Sequence, residues 1–194
     1  MLMVLSPALG AVALLILLSM GRPVLFPHPR VGRYGVPFTI LKFRTMIPGA
    51  EAIGGGYMPD HLDLIPPLGR FLRRTSLDEL PQLVNILRGE MSFVGPRPSV
   101  VEHFPRYTKS QRRRVEVPPG VTGLAQVTFR NNATWSKRID LDIQYVDRMC
   151  LSLDLKIFVR TIARVFKADN VRLDQSRGDV DDLLPTESED GKER

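Results

Sequence analysis

The sequence predicts a small mixed α/β domain carried on an apolar N-terminal segment, and three features lead there. Val36 to Leu41 is rich in β-branched and aromatic residues and reads as a strand running into Lys42-Phe43-Arg44-Thr45-Met46. Leu80, Leu83, Val84 and Leu87 recur at helical spacing, and a longer apolar periodicity runs from about Ser152 to Ala168. Residues 1–21 carry no charge. With 194 residues, the chain has room for one modest core.

The uncharged N-terminal run is interrupted by Ser6-Pro7. Proline lacks an amide hydrogen and clashes with the preceding turn, so a helix is expected mainly beyond Pro7, too short to cross a bilayer. A straight span, a buried core helix and a helix that enters the membrane and bends at Ser6-Pro7 all remain open at this point. Arg22, Arg30 and Arg33 follow, the charge expected where a segment meets the cytoplasmic leaflet. Lys42 and Arg44, two apart on the predicted strand, are expected to share a face. Pro48 to Pro67, with Gly54-Gly55-Gly56 inside, is expected to be a mobile loop.

The segment from Leu68 to Gly89 is the most informative. A helix is expected from about Ser76, with Ser76 as N-cap, Glu79 in capping-box position and Gly89 as terminator. Asp78 and Glu79 then lie in its first turn beside Arg73 and Arg74. Acids in a first turn are ordinary helix-end electrostatics, but a carboxylate pair among arginines also suits chemistry on phosphates. Guanidinium forks match phosphate oxygens, a carboxylate can attack phosphorus, and Mg²⁺ bridges carboxylates to substrate phosphates.

Met91 to Pro98 reads as a rigid turn presenting Arg97, and residues 100–118 as polar helix containing Arg112-Arg113-Arg114. Gly120 to Val127 reads as a short extended piece, and Arg130-Asn131-Asn132 as a polar edge or a surface turn. A helix capped by Thr134 or Ser136 should run through Tyr145 to Met149. The last helix sets Leu155, Phe158, Val159, Ile162, Val165 and Phe166 on one side, with Lys156, Arg160, Arg164 and Lys167 on or beside the other. Such a helix can lie in a membrane interface or cover a core.

Charge and composition exclude several functions. Residues 179–194 hold seven acids and two bases, so residues 1–178 carry a net +11 within the overall +6. The acidic end, 169–194, is expected to be disordered, and the cationic body to favour anionic partners. One cysteine and three scattered histidines argue against disulfide, thiol or zinc chemistry. No phosphate-binding glycine-lysine loop, dinucleotide fingerprint or nucleophile elbow is present. No nucleic-acid partner is expected, because no recognition element accompanies the basic charge.

Several stretches together resemble the bacterial sugar transferases, the small monotopic polyprenyl-phosphate phosphoglycosyl transferases. They are Lys42 to Met46, Arg73 to Asn85 centred on Ser76-Leu77-Asp78-Glu79-Leu80-Pro81-Gln82, Met91 to Pro98, Pro119 to Val127, Leu141-Asp142, Tyr145-Val146 and Asp154-Leu155-Lys156. They stand in family order over roughly residues 1–168. The resemblance implies a membrane enzyme of exopolysaccharide or other glycoconjugate assembly. It would transfer a sugar 1-phosphate from a UDP-sugar to undecaprenyl phosphate, releasing UMP. It implies Asp78 as nucleophile forming a covalent phosphosugar intermediate, Glu79 as partner carboxylate, and Mg²⁺ held by Glu79 and Asp78. Lys42, Arg44, Arg73, Arg97, Arg112, Gln126, Arg130 and Asn131 become candidate phosphate or nucleotide contacts.

The resemblance also implies that residues 1–21 form a re-entrant membrane helix breaking at Ser6 and Pro7. Residues 22–168 would be the catalytic domain, with amphipathic helices lying in the interface and the active site on the cytoplasmic face of the bacterial inner membrane. The family's first arm is usually longer than the five residues before Ser6, so a longer native start is expected. His28, Leu124 and Thr128-Phe129 depart from the usual glutamine, tryptophan and asparagine-glycine, and the last two of these changes bear on nucleotide or sugar preference. Membrane lipid is an expected partner, and a homodimer is compatible. The non-enzymatic alternative is a membrane-associated scaffold or anionic-ligand binding protein without turnover.

Overall fold

A computed structural model describes residues 2–50, 64–129 and 133–167. The chain opens with α1 (Leu2–Met20), followed by an antiparallel hairpin of β1 (Leu25–Val31) and β2 (Pro37–Phe43). Next come α2 (Pro67–Thr75), a 3-10 turn over Leu77–Glu79, and α3 (Gln82–Leu87). Strands β3 (Ser92–Val94) and β4 (Gly120–Thr122) pair in parallel, with 3-10 turns Val101–Arg106 and Gln111–Val115 between them. The described chain ends with α4 (Leu124–Phe129), α5 (Trp135–Arg148) and α6 (Leu151–Lys167). The mixed α/β class is as expected.

α1 runs through Pro7, whereas helix is expected mainly beyond it. The lost amide bond would reach back to Met3, so it costs only one bond in the second turn. No helix among the described residues is long and apolar enough to cross a membrane. α1 lies on the domain instead. Val12 and Ile16 are buried with Phe43 of β2 and Leu72 of α2, while Leu9, Ala13 and Met20 pack against the same cluster. Leu14, Leu15, Leu17 and Leu18 remain exposed on the other side. An uncharged helix therefore both enters a core and offers an apolar outer face.

β1 contains Pro27 and Pro29 yet pairs along its length, from Leu25 with Phe43 to Val31 with Pro37. A two-stranded ribbon leaves one edge of each strand free, where proline's missing amide is tolerated. The inner edge of β2 is completed by a side chain. Asn85 of α3, fully buried, accepts from the Leu41 amide at 3.0 Å and donates to the Thr39 carbonyl at 2.8 Å. One amide group thereby substitutes for a neighbouring strand, which fixes α3 against β2 just before Lys42.

The expected helix over 100–118 is replaced by the two 3-10 turns: Pro105, inside the first, has no amide hydrogen to carry an α-helix onward, and residues 107–110 separate them. Gly120 to Val127 is only half extended, since α4 begins at Leu124. β4 approaches β3 so closely that a Cβ at Gly120 would meet the Gly95 nitrogen at 2.2 Å. Glycine is therefore required there, and the contact sets the position of Gly95-Pro96-Arg97. The residues proposed for the mobile loop lie largely outside the described ones, as does the acidic end.

α5 begins after Thr134 as expected, although no side chain caps it. α6 packs through Ile157, with Leu153 against Val94, Val127 and Tyr145. The stripe of Leu155, Phe158, Val159 and Ile162 points outward, together with Leu151. Of the two roles open to this helix, that stripe does not cover the core.

Candidate active site

The two acids sit in the single turn of the 3-10 helix Leu77–Glu79 between α2 and α3, not in the first turn of an α-helix. α2 ends at Thr75, and Ser76 turns left-handed at φ 58°, its amide donating back to the Arg73 carbonyl at 3.2 Å. The Ser76 side chain makes no capping bond, and α3 starts only at Gln82, after Pro81. The expected N-cap and capping box are therefore not formed. A backbone in the left-handed region is reversing out of α2, so its side chain is not placed to cap the next helix. Leu77 and Leu80 pack into the cluster under α1 and clamp the acids between them.

Glu79 and Asp78 have opposite surroundings. Glu79 Oε1 accepts from Lys42 Nζ at 2.8 Å and from Arg97 Nη2 at 3.0 Å, with the carboxylate side chain 17% exposed. Asp78 makes no ion pair or hydrogen bond among the described residues, although Lys42, Arg73 and Arg97 all act on it electrostatically. Burial alone would push Glu79 up, but Lys42 and Arg97 outweigh it and hold the carboxyl at about 2. Burial, then the neighbouring Glu79 charge, push Asp78 up to about 6. Burial pulls the Lys42 ammonium down against the opposing pull of Glu79. Two adjacent carboxyls are thus split into a permanently ionised one and a more basic one.

This split is directly measurable. In metal-free protein, carboxyl ¹³C NMR should show a side chain lost in Asp78→Asn titrating near pH 6, while Glu79 stays ionised to about pH 2. A shared midpoint near pH 4 would contradict the geometry.

Of the other expected contacts, Lys42 and Arg97 converge on the acids, and Arg73 stands beside them with Nε donating to Thr45 Oγ1 at 2.8 Å. Arg44 does not join them. β2 ends at Phe43, so the strand alternation that would have given Arg44 the face of Lys42 stops. Buried, Arg44 donates to the Met20 and Gly21 carbonyls at 2.6 and 2.7 Å and ties down the end of α1. Arg112 lies over the Phe104 ring and donates to the Tyr107 carbonyl at 3.1 Å. Both Gln126 side-chain polar atoms are buried without a partner among the described residues. Arg130 and Asn131 lie outside the described residues.

Two contributors were missed. Asn85 lies off the stripe of Leu80, Leu83, Val84 and Leu87, on the side of α3 that is buried with Gln82 while Leu87 is exposed, so helical periodicity pointed away from it. Arg114 is hidden in a run of three arginines and is distinguished only by its burial.

The sequence pattern of the bacterial sugar transferases matches residues 1–168. The chain belongs to the bacterial sugar transferase family. It is accordingly an enzyme by kinship with named transferases, and UMP release is the measurement that separates it from the alternative without turnover. This transferase is 44% identical over 155 residues to EpsL of Bacillus subtilis, an uncharacterized sugar transferase, covering 80% of this chain and 76% of the relative. It is 40% identical over 173 residues to the UDP-glucose:undecaprenyl-phosphate glucose-1-phosphate transferase of Caulobacter vibrioides, covering 85% of this chain and 65% of that one. The like-named Escherichia coli protein is 37% identical over 175 residues, which cover 85% of this chain and 37% of the longer relative. The matched region thus ranges from most of EpsL to about a third of the longer relatives, such as 34% of the galactosyl transferase CpsE of Streptococcus agalactiae.

Proposed function

We propose that this sugar transferase moves a sugar 1-phosphate from a UDP-sugar to undecaprenyl phosphate, with Asp78 as covalent nucleophile. The unequal surroundings of the two acids carry the reading: Glu79 is paired with Lys42 and Arg97, while Asp78 has no ion pair or hydrogen bond among the described residues. A nucleophile must be ionised at neutral pH yet retain basicity, and Asp78 near 6 satisfies both. Glu79, held by two cations, is too weak a base to compete for phosphorus.

In the first step an Asp78 carboxylate oxygen attacks the sugar-bearing phosphorus. The bond from that phosphorus to the bridging oxygen breaks, and UMP leaves with the electron pair. In the second step an undecaprenyl phosphate oxygen attacks the same phosphorus. The bond to Asp78 breaks, which frees the carboxylate and yields the lipid-linked diphosphate sugar. Neither nucleophile requires deprotonation by a base, so the site needs none. Lys42, Arg73 and Arg97 orient the diphosphate and counter its charge.

The donor set fits Mg²⁺. Both cationic contacts to Glu79 fall on Oε1, and Asp78 is unpaired among the described residues. No group of three His, Cys, Asp or Glu exists among the described residues, so substrate phosphates would complete the shell. Glu79 and Asp78 would hold the ion, which would offset charge on the diphosphate and on the departing UMP.

The apolar outer faces of α1 and α6 support attachment to a membrane surface, which in this reading is the cytoplasmic face of the bacterial inner membrane. The acids' turn packs against α1 through Leu77 and Leu80, which supports access of a lipid-borne phosphate to Asp78.

The test is intact-protein mass spectrometry of detergent-solubilised enzyme with Mg²⁺ and a panel of UDP-sugars, without polyprenyl phosphate. The expected result is a mass gain of one sugar phosphate for the true donor, accompanied by UMP and removed on adding undecaprenyl phosphate. Absence of both adduct and UMP across the panel, with the lipid also supplied, would overturn the reading.

A further inference from the structure

We propose that Arg114 is a positioning residue of this site, holding the main chain of Arg97 so that the Arg97 guanidinium meets Glu79. The proposal rests on the reading of the two acids given above. Arg114, buried in the 3-10 turn Gln111–Val115, donates from Nη2 to the Arg97 carbonyl at 2.8 Å and to Asp142 Oδ2 of α5. Its Nη1 donates to the Tyr107 hydroxyl at 2.9 Å. One planar fork thus joins three separate parts of the chain to the back of the Arg97 loop.

The loop is held on either side of that point. The Gly120 amide donates to the Pro96 carbonyl at 2.9 Å, and the Val31 amide to the Ser99 carbonyl at 3.0 Å. Arg114 fixes the carbonyl between them, on the residue whose side chain reaches Glu79. The Arg97 side chain is 46% exposed, so little packing restrains it beyond its own backbone and the Glu79 contact.

Stability alone does not account for the buried pair. Asp142 Oδ1 is buried without a partner among the described residues, so the desolvation of this carboxylate is incompletely compensated. Burial also pushes Asp142 up to about 6 despite the adjacent Arg114 charge. Apolar residues of similar volume commonly replace such pairs at no cost in stability, or with a gain. They would preserve the fold and could not hold the Arg97 carbonyl.

The test separates those two properties. Arg114→Met, Asp142→Leu and Tyr107→Phe are introduced together, alone and with Arg97→Ala. Melting and single-turnover adduct formation are then measured. The expected variant melts at or above wild type and loses about a hundredfold in the rate of the chemical step, with little further loss once Arg97 is already alanine. A wild-type rate in the folded variant, or losses that multiply with Arg97→Ala, would overturn the proposal. Should the triple variant not fold, Arg114→Lys, which keeps the charge but not the fork, decides by the same cycle. The ¹⁵N-edited Nε–H resonance of Arg97, assigned by its loss in Arg97→Lys, gives a readout independent of turnover. It should shift in Arg114→Lys, and an unmoved resonance would sink the inference. A wild type that forms no adduct while this resonance shifts would condemn the reaction proposed above and leave the positioning role standing.

Discussion

Asp78→Asn should abolish the covalent phosphosugar adduct and lower turnover by about 10⁴-fold or more, the scale of losing a nucleophile that acts with its surroundings as a unit. Asparagine keeps the size of the side chain, so the turn between Leu77 and Leu80 is undisturbed. What disappears is the ionised oxygen. The same substitution should stabilise the fold. The folded carboxyl is raised from 3.8 to about 6, so its stabilising contribution is present below pH 4 and lost as pH rises through 6. At neutral pH the ionised group is therefore a liability, and its removal should raise the melting temperature of metal-free protein by about 2–4 °C, equivalent to roughly 1 kcal/mol. Glu79→Gln should behave differently. It leaves Lys42 and Arg97 facing a neutral amide, which lowers stability, while a slower adduct still forms on Asp78. Peptide mapping of the adduct and parallel melting curves check both halves. An adduct persisting in Asp78→Asn, or one carried by Glu79, would reverse the assignment.

Much of this site was legible because its chemistry is compressed into short stretches. Asp78-Glu79 beside Arg73, and Lys42 at the end of a strand-like run, were readable as a charged junction. Long periodic segments were equally clear, and α5 and α6 lie close to their expected ranges. Local rules failed where tertiary contacts override them. Ser76 followed by Glu79 matches a capping box, yet the chain must reverse out of α2, and the left-handed turn this requires removes the cap. Pro27 and Pro29 hide β1, because their tolerance depends on a free edge visible only once the hairpin exists. Arg44 has the same spacing logic as Lys42 but lies one residue past the strand, so it turns to the carbonyls of α1. Arg114 is the hardest case. Nothing in Arg112-Arg113-Arg114 distinguishes the buried member from its neighbours, since the distinction comes from Asp142, 28 positions away.

The helix that sequence left between two roles supplies the second large effect. Along α6 the residues divide into an outward apolar stripe and a core-facing side on the same cylinder. Leu155, Phe158, Val159 and Ile162 are 62%, 44%, 56% and 43% exposed, whereas Ile157 is 1% exposed. Lys156 and Arg160, both exposed, lie beside the apolar stripe, where they can meet anionic headgroups. Replacing the four exposed residues with serine should barely alter melting, because they bury little within the fold. Each should lose about 1 kcal/mol of lipid contact, so the set weakens partition to anionic phospholipid vesicles by roughly a thousandfold, measured by cosedimentation with α1 intact in both proteins. The two half-reactions should then separate. Adduct formation from the water-soluble UDP-sugar stays near wild type, because Asp78, Glu79 and their cations are untouched, while transfer to undecaprenyl phosphate in vesicles falls with the partition. Ile157→Ser should do the reverse, unfolding the domain and removing both steps, because it opens the cluster of Val94, Val127 and Tyr145. Equal vesicle binding and equal lipid transfer by the four-serine variant would mean that the stripe faces something other than the bilayer. The proposed access of a lipid-borne phosphate to Asp78 would then have to rest on α1 alone.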